Sequence, residues 1–135
     1  MLKVRTRLEQ STIPGAGMGL FADEFIKEGT VIWKLDINID RLISKDDFEN
    51  MDPIYKTFVS TYGYTRRDYP FIILCADNAR FVNHFTSGNM VGNDEPFGSM
   101  EVSIANRDIQ IGEEILEDYT IFDDKSIDDK NSDYY

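Results

Sequence analysis

The chain has 135 residues, 41% of them hydrophobic, so it is long enough for one domain with a substantial core and too short for two ordinary ones. Its formal net charge of −11 has the wrong sign for binding nucleic-acid phosphates, and its longest apolar run, 71–76, is far below the roughly 20 residues that span a bilayer. One cysteine and one histidine exclude an internal disulfide and argue against a metal site.

The segment up to residue 39 predicts short strands. Val4, Thr6 and Leu8 alternate with charged residues, which is typical of a half-buried strand. Two further segments, 19–22 and 30–35, are apolar and rich in residues that favour strands.

A glycine-rich loop lies between the first two of these predicted strands. Its glycines fall at 15, 17 and 19, and no helix follows them, so the spacing does not match a dinucleotide-binding fingerprint. Two interpretations stay open for the loop. It is either a tight connection that needs positive φ values, or a backbone that approaches a ligand closely because no Cβ intervenes.

Residues 44–64 predict a helical insertion. Ser44 and Asp52 are candidate N-caps, and Pro53 suits the first position of a helix. The apolar and aromatic residues that share one helical face or flank it are Ile54, Phe58, Tyr55 and Tyr62.

From residue 71 the pattern returns to strands, predicted at 71–75, at 101–105 and from 115 onward, with a Gly- and Asn-rich loop at 87–99. Many short strands, one helical insertion and no βαβ alternation predict a mainly β fold of several small sheets.

Two segments carry polar residues suited to a site. Arg80-Phe81-Val82-Asn83-His84 follows an apolar strand, and its Asn and His side chains offer donors and acceptors in a tight space. Taken alone, such a histidine is most often a packed, hydrogen-bonded residue. The segment 112–119 predicts a turn and then a strand ending at Tyr119, with Ile115, Glu117 and Tyr119 on one face.

In combination, these segments resemble the SET-domain family of protein-lysine methyltransferases. The family's motifs are a G-x-G loop, R-F-x-N-H-S-x-x-P-N and G-E-E-L-x-x-D-Y, and the segments 15–22, 80–89 and 111–119 occupy those places. The resemblance covers roughly residues 3–122. It implies a SET-domain (β-clip) fold with the insertion at about 44–64 and a C-terminal pseudoknot, in a single domain over 1–122.

The resemblance also implies a reaction: methyl transfer from S-adenosylmethionine to a lysine side chain of a protein. The amine, the methyl carbon and the sulfonium must lie in line, so positioning supplies much of the rate. The amine must be neutral, although free lysine has a pKa of about 10.4. A neighbouring sulfonium and a desolvating channel both lower that pKa.

The resemblance assigns roles to individual residues. The residues expected to hold the cofactor are Gly17, Met18, Arg80, Phe81, Asn83 and His84. Tyr119 is expected to place its hydroxyl near the transferring methyl group and to orient the amine. Tyr62 is expected to supply a second hydroxyl to the channel. Tyr64 is the alternative, and a packing role for either tyrosine stays open.

The chain departs from the family pattern at three places. Phe85 stands where the motif has serine, and Gly88 stands where it has proline, which predicts altered loop rigidity. The cysteine-rich segment that closes the cofactor pocket in many members is missing, so an aromatic residue is expected to close it. Phe122 is the first candidate, with Tyr134 and Tyr135, in the acidic tail 123–135, as alternatives.

The charge distribution indicates the kind of partner that the chain attracts. Residues 113–133 include nine acidic residues and only two lysines. This negative charge either keeps the protein soluble or attracts a lysine-rich substrate. We expect a histone or another basic protein or peptide as partner, no nucleic acid, no membrane, and a possible homodimer. The alternative function is a catalytically inactive SET-like module that binds basic peptides.

The N-terminal residues carry charges with no apolar segment behind them, which predicts no signal peptide. We therefore expect a cytoplasmic protein or, if it comes from a virus or is a secreted effector, one that acts inside the host cell, including its nucleus.

Overall fold

Three small sheets carry the fold in the computed structural model, which describes residues 1–67, 69–92 and 101–123. The strands are β1 (Thr6–Gln10), β2 (Met18–Ala22), β3 (Val31–Lys34), β4 (Arg41–Ser44), β5 (Gly63–Thr65), β6 (Phe71–Leu74), β7 (Asn83–His84), β8 (Met90–Gly92), β9 (Val102–Ala105) and β10 (Leu116–Glu117). The helices are α1 (Lys45–Glu49), α2 (Pro53–Tyr62) and α3 (Tyr119–Phe122), and a 3-10 helix spans Asn78–Phe81. The predicted mainly β fold of small sheets is confirmed.

The strands form an antiparallel β1–β2 hairpin, a central sheet in the order β3-β9-β8-β10-β7, and a third sheet in the order β4-β6-β5. The main core lies under the hairpin and the central sheet, and its fully buried members include Leu20, Ile32, Ile109 and Ile115. No helix within the described residues is long and apolar enough to cross a membrane.

The glycine-rich loop is the connection inside the β1–β2 hairpin. Gly15 and Gly17 have φ values of +81° and +75°, a backbone region that residues with a Cβ rarely adopt. Pairing runs from Thr6↔Ala22 to Gln10↔Met18, so β1 begins two residues later than the alternation predicted. The interpretation of this loop as a tight connection between strands is therefore confirmed.

The helical insertion is shorter than predicted and is divided. The predicted caps form, because Ser44 accepts a hydrogen bond from the Asp47 N–H and Asp52 accepts one from the Ile54 N–H. Ser44 ends β4 and caps α1 as predicted, but the helix prediction over 44–64 was wrong at its C-terminal end, where Gly63–Thr65 forms β5. Both strands pair with β6, and this non-local pairing overrides the helical pattern.

The apolar face of α2 is largely exposed. Ile54 is 77% exposed, while the only buried side chain of the helix is Val59. The helix therefore packs on the third sheet through a narrow contact rather than through the face that the pattern marked.

The C-terminal segment passes between two earlier strands. β10 runs parallel to β7 on one side, with Leu116 opposite Asn83, and parallel to β8 on the other, with Glu117 opposite Met90. Residues 85–89 connect β7 directly to β8, so β10 lies within that connection, as the predicted pseudoknot requires.

Two predictions for this region were wrong in detail. The strand predicted to reach Tyr119 ends at Glu117, and Tyr119 begins α3, whose N-cap Asp118 accepts from the Thr120 N–H. The predicted loop 87–99 contains β8, because residues 90–92 pair with β9.

Gly88 packs so closely on β10 that a Cβ would lie 2.6 Å from the Leu116 carbonyl oxygen.

Asn89 holds the threaded strand in place. Its side chain is buried and bonds both backbone groups it meets: Nδ2 donates to the Glu114 carbonyl at 2.8 Å, and Oδ1 accepts from the Leu116 N–H at 3.0 Å. Alanine would leave both backbone groups without partners in the interior.

We predict that Asn89→Ala lowers the free energy of unfolding by about 3 kcal/mol, since each unsatisfied buried group costs about 1–3 kcal/mol. Urea denaturation followed by circular dichroism measures this loss. Asn38→Ala is the control, because Asn38 is exposed and bonds only within its own turn. Equal, small losses in the two variants would contradict the role of Asn89.

Candidate functional site

Glu114 joins three segments that are distant in the sequence. Its carboxylate accepts hydrogen bonds from the Ser11 hydroxyl at 2.6 Å, from the Thr12 N–H at 2.7 Å and hydroxyl at 2.5 Å, and from Asn83 Nδ2 at 3.2 Å. The same Asn83 group donates to the Met18 carbonyl at 2.9 Å. The glycine-rich loop, the Asn-His segment and the Gly-Glu-Glu segment therefore meet at one carboxylate.

The packing at this carboxylate leaves no room for a side chain at Gly19, where a Cβ would lie 2.2 Å from Glu114 Oε1. Burial of Glu114 opposes its ionisation, but the hydrogen bonds from Ser11, Thr12 and Asn83 outweigh burial and hold its pKa below the ordinary value of 4.5. The carboxylate is therefore ionised at neutral pH and fixes the loop.

His84 and Tyr119 are in direct contact across the threaded strand. The Tyr119 N–H donates to His84 Nδ1 at 3.0 Å, and the two rings lie 5.4 Å apart between centroids. The Tyr119 hydroxyl donates to the Val82 carbonyl in a short hydrogen bond, so both motifs position the tyrosine.

A cavity of about 120 Å³ lies beside Tyr119, lined by residues of the central sheet and of the third sheet. Its lining extends from Thr61, exposed at the end of α2, to the interior residues Trp33, Cys75 and Glu101. The cavity therefore connects the surface near α2 with a buried polar interior.

Arg80 and five aromatic rings form one part of the cavity surroundings. The guanidinium carbon of Arg80 lies 5.7 Å from the Tyr62 ring centroid and 5.3 Å from that of Phe81, within cation–π range. Arg80 Nε is buried and has no acceptor among the described residues. Phe122 packs its ring 5.7 Å from those of Tyr64 and Tyr119.

Two glutamates line the inner part of the cavity. Glu101 is 3% exposed; its Oε1 accepts from the Tyr64 hydroxyl at 2.9 Å and pairs with Arg66 at 3.3 Å. Burial, and then the neighbouring Glu101 carboxylate, raises the pKa of Tyr64. Burial, and then Glu101, also raises the pKa of Glu117 to about 8.

The structure divides the sequence-predicted residues into two adjacent groups. Met18, Asn83 and His84 lie at the junction of the loop with β7, outside the cavity lining, and Gly17 precedes Met18 in the loop. The predicted residues that line the cavity are Tyr62, Arg80, Tyr119 and Phe122. Phe81 contacts the second group through the Tyr62 ring, at 5.6 Å. Tyr134 and Tyr135 lie outside the described residues.

Sequence reasoning missed three residues of this region. Glu114 is inside a recognised motif but was given no role. Glu117 carried a signal, because strand alternation placed it on the same face as Tyr119, and both line the cavity. Glu101 carried none, since a single acidic residue before a short strand is ordinarily exposed.

Within the described part of the chain, no three His, Cys, Asp or Glu side chains are grouped so as to hold a metal ion. Burial raises the pKa of the Cys75 thiol well above its ordinary value, which keeps it protonated and poorly nucleophilic.

Comparison with known families gives one match that covers most of the chain. The family model described as SET domain matches residues 17–120, which include the glycine-rich loop from Gly17 onward, the Asn-His segment and Tyr119. No curated protein matches the sequence significantly.

Similar solved structures come from polycomb repressive complex 2 (PRC2) of Chaetomium thermophilum. With the autoinhibited complex bound to S-adenosylmethionine, the TM-score is 0.65 at 26% identity, covering 92% of this chain and 16% of that chain. The crystal structure of the complex gives a TM-score of 0.65 at 25% identity, over 86% and 15%. The structure in complex with H3K27me3 and H3K27M gives 0.63 at 26% identity, over 86% and 14%. The chain thus spans about one sixth of the proteins it resembles.

We predict that Glu114→Gln destabilises the fold by about 1–3 kcal/mol at pH 7, because an amide cannot accept from all the donors that surround the carboxylate. A carboxyl with a lowered pKa stabilises the fold above its unfolded value of 4.5, and this contribution is lost as the pH falls through the folded value. The wild-type protein should therefore lose stability below pH 4.5 more steeply than the variant. Denaturant unfolding between pH 6 and pH 3 measures both slopes. The exposed Glu49→Gln serves as control, and parallel slopes for Glu114→Gln and wild type would contradict this assignment.

Proposed function

The chain belongs to the SET-domain family, and from that premise we propose that it is an S-adenosylmethionine-dependent methyltransferase acting on lysine side chains of proteins. The observation that carries this proposal is the convergence of the three motif segments, through Glu114, Asn83 and His84, beside Tyr119 and its cavity. The similar PRC2 structure in the autoinhibited conformation is bound to S-adenosylmethionine, which supports the choice of cofactor.

The residues present fit this cofactor. S-adenosylmethionine carries a carboxylate, an ammonium and an aromatic base around its sulfonium. Arg80 Nε is a buried donor that has no acceptor within the described residues, which suits a carboxylate. The rings of Phe81 and Phe122 offer apolar surface for the base. When bound, the cofactor supplies an electrophilic methyl group.

In this mechanism, residues of the chain orient the acceptor amine. The Tyr119 hydroxyl donates its hydrogen to the Val82 carbonyl, so its oxygen lone pairs can accept an N–H from the lysine amine. That contact orients the amine nitrogen. The fixed position of Tyr119, set by His84 and Val82, provides the alignment that an in-line displacement requires.

A basic protein or peptide is the substrate class that we propose. The formal net charge of −11 attracts lysine-rich chains, and the PRC2 relative has been solved in complex with H3K27me3 and H3K27M. The neighbouring acidic groups favour a cationic partner by long-range attraction, with affinity that falls as salt rises.

Two measurements test the proposal. Calorimetric titration should show binding of S-adenosylmethionine, and incubation with the methyl-labelled cofactor and a panel of lysine-rich proteins, followed by mass spectrometry, should locate methylated lysines. Cofactor or peptide binding without transfer would identify an inactive module instead. An absence of cofactor binding would contradict the proposal.

We predict that Tyr119→Phe lowers methyl transfer by about 100-fold or more, the usual cost of removing one positioned polar group at a reacting centre. The affinity for S-adenosylmethionine should stay within about threefold, because the hydroxyl orients the amine and not the cofactor. Initial rates with labelled cofactor and calorimetry give the two values. Tyr55→Phe, at an exposed tyrosine, is the matched control. Full turnover by Tyr119→Phe would refute the assigned role.

A further inference from the structure

The inner end of the cavity contains a carboxylate oxygen that accepts no hydrogen bond from the described residues. Arg66 and the Tyr64 hydroxyl both bond Oε1 of Glu101. Oε2 of the same carboxylate is buried and has no donor among the described residues. The Gly92 N–H donates to Glu117, which has no ion-pair partner in the described part of the chain. One buried acceptor is therefore unsatisfied and one carboxyl has no positive partner.

The charges around Glu117 explain its protonation. Burial, and then the Glu101 carboxylate, raises its pKa to about 8, while Arg66 and the Gly92 N–H oppose that rise. The other titratable groups among the described residues that line this cavity are Tyr62, Tyr64, Cys75, Arg80, Tyr119 and Asp123. The raised pKa favours the protonated form of Glu117 near neutral pH, because the guanidinium of Arg66 is paired with Glu101 and opposes the rise only in part.

Such a site is complementary to a small cation that donates several hydrogen bonds. An ammonium group has three N–H donors and one positive charge, which would satisfy Oε2 of Glu101 and favour ionisation of Glu117. The volume is suitable, because a cavity of about 120 Å³ approaches the roughly 150 Å³ that admits a benzene molecule.

We propose that Glu101 and Glu117 bind the ammonium group of the acceptor lysine, and that Glu117 takes up the proton which this nitrogen must lose before methyl transfer. The inference rests on the proposed function, and it adds to Tyr119 a second catalytic residue and an anionic partner for the substrate amine. Both glutamates line the same cavity as Tyr119.

The proton balance is simple. Entry of the lysine ammonium lowers the proton affinity of Glu117, which releases its proton to water. One N–H bond of the ammonium then breaks as an O–H bond forms on the Glu117 carboxylate, and the nitrogen keeps the electron pair that methyl transfer requires. The net change on binding is the loss of one proton to solvent.

Binding of n-butylammonium, which reproduces the end of a lysine side chain, tests the site without any cofactor. Nuclear magnetic resonance should show a shift of the Gly92 amide, which bonds Glu117. Calorimetry at pH 7 in two buffers of different ionisation enthalpy should show net release of protons, because the raised pKa of Glu117 favours its protonated form in the free protein. Absence of binding, or binding without proton release, would overturn the proposal.

The variant Glu117→Gln resembles the protonated carboxyl in shape and charge, so we expect it to fold. It should bind n-butylammonium about 10-fold more weakly and release no proton. Glu28→Gln removes one exposed acidic charge outside the cavity lining and is the control; it should bind as wild type does. Equal affinity and equal proton release in Glu117→Gln and wild type would show that another group binds the amine.

Kinetics separate this inference from the proposed function. With an identified protein substrate, Glu117→Gln should lower kcat/KM about 100-fold at pH 7, with a smaller loss at high pH where water takes the proton. Wild-type turnover with an unchanged pH profile in the variant would refute the role of Glu117 and leave the methyltransferase function intact. Proton-linked binding of n-butylammonium without methyl transfer would keep the amine site and refute the function. Proton release on titration with S-adenosylmethionine alone would assign the pair to the cofactor's ammonium and overturn the inference.

Discussion

The passage of β10 between β7 and β8 is the constraint on which the site depends. This strand has only two residues, yet it is bonded on both sides, and the buried Asn89 side chain satisfies the backbone groups at its entrance. Glu114 lies two residues before it and Tyr119 two residues after it. One short strand therefore fixes both the carboxylate that holds the loop and the tyrosine beside the cavity.

Because the contacts are long-range, the site and the fold form together. Ser11 and Glu114 are 103 residues apart in the sequence, and Val82 and Tyr119 are 37 apart, yet each pair is hydrogen-bonded. Closing such contacts costs conformational entropy that only the finished core repays. The motif residues thus have structural and chemical roles that a single substitution affects together, which is why variants here need a stability measurement beside each functional one.

Local chemistry explains which parts of the fold the sequence predicted. Asp52 and Pro53 start α2 because capping and a fixed φ are properties of neighbouring residues. β5 and β8 were missed because their stability comes from partners far along the chain. The order of the motifs predicted that Asn83, His84 and Tyr119 belong together. It could not show that Met18 and Asn83 lie outside the cavity while Tyr62 and Phe122 line it, since that division arises from packing.

The burial of Glu101 and Glu117 in one cavity affects the stability of the fold in a different way. Two carboxyl groups in one buried cavity cost stability, and an exposed position or an apolar side chain would avoid that cost. Arg66 pairs with Glu101 and only partly opposes the rise in the pKa of Glu117, so the described residues leave the compensation incomplete. Groups with strongly shifted pKa values concentrate where binding or proton transfer uses the shift, although structural ion pairs also produce them. Here Glu117, the carboxyl with the raised pKa, lines the same cavity as Tyr119. The hydroxyl oxygen of Tyr119 can accept a hydrogen bond from a ligand and carries no positive charge. A cationic amine is the ligand that would satisfy both glutamates and the tyrosine at once, so the stability lost by burying the pair becomes affinity for that ligand.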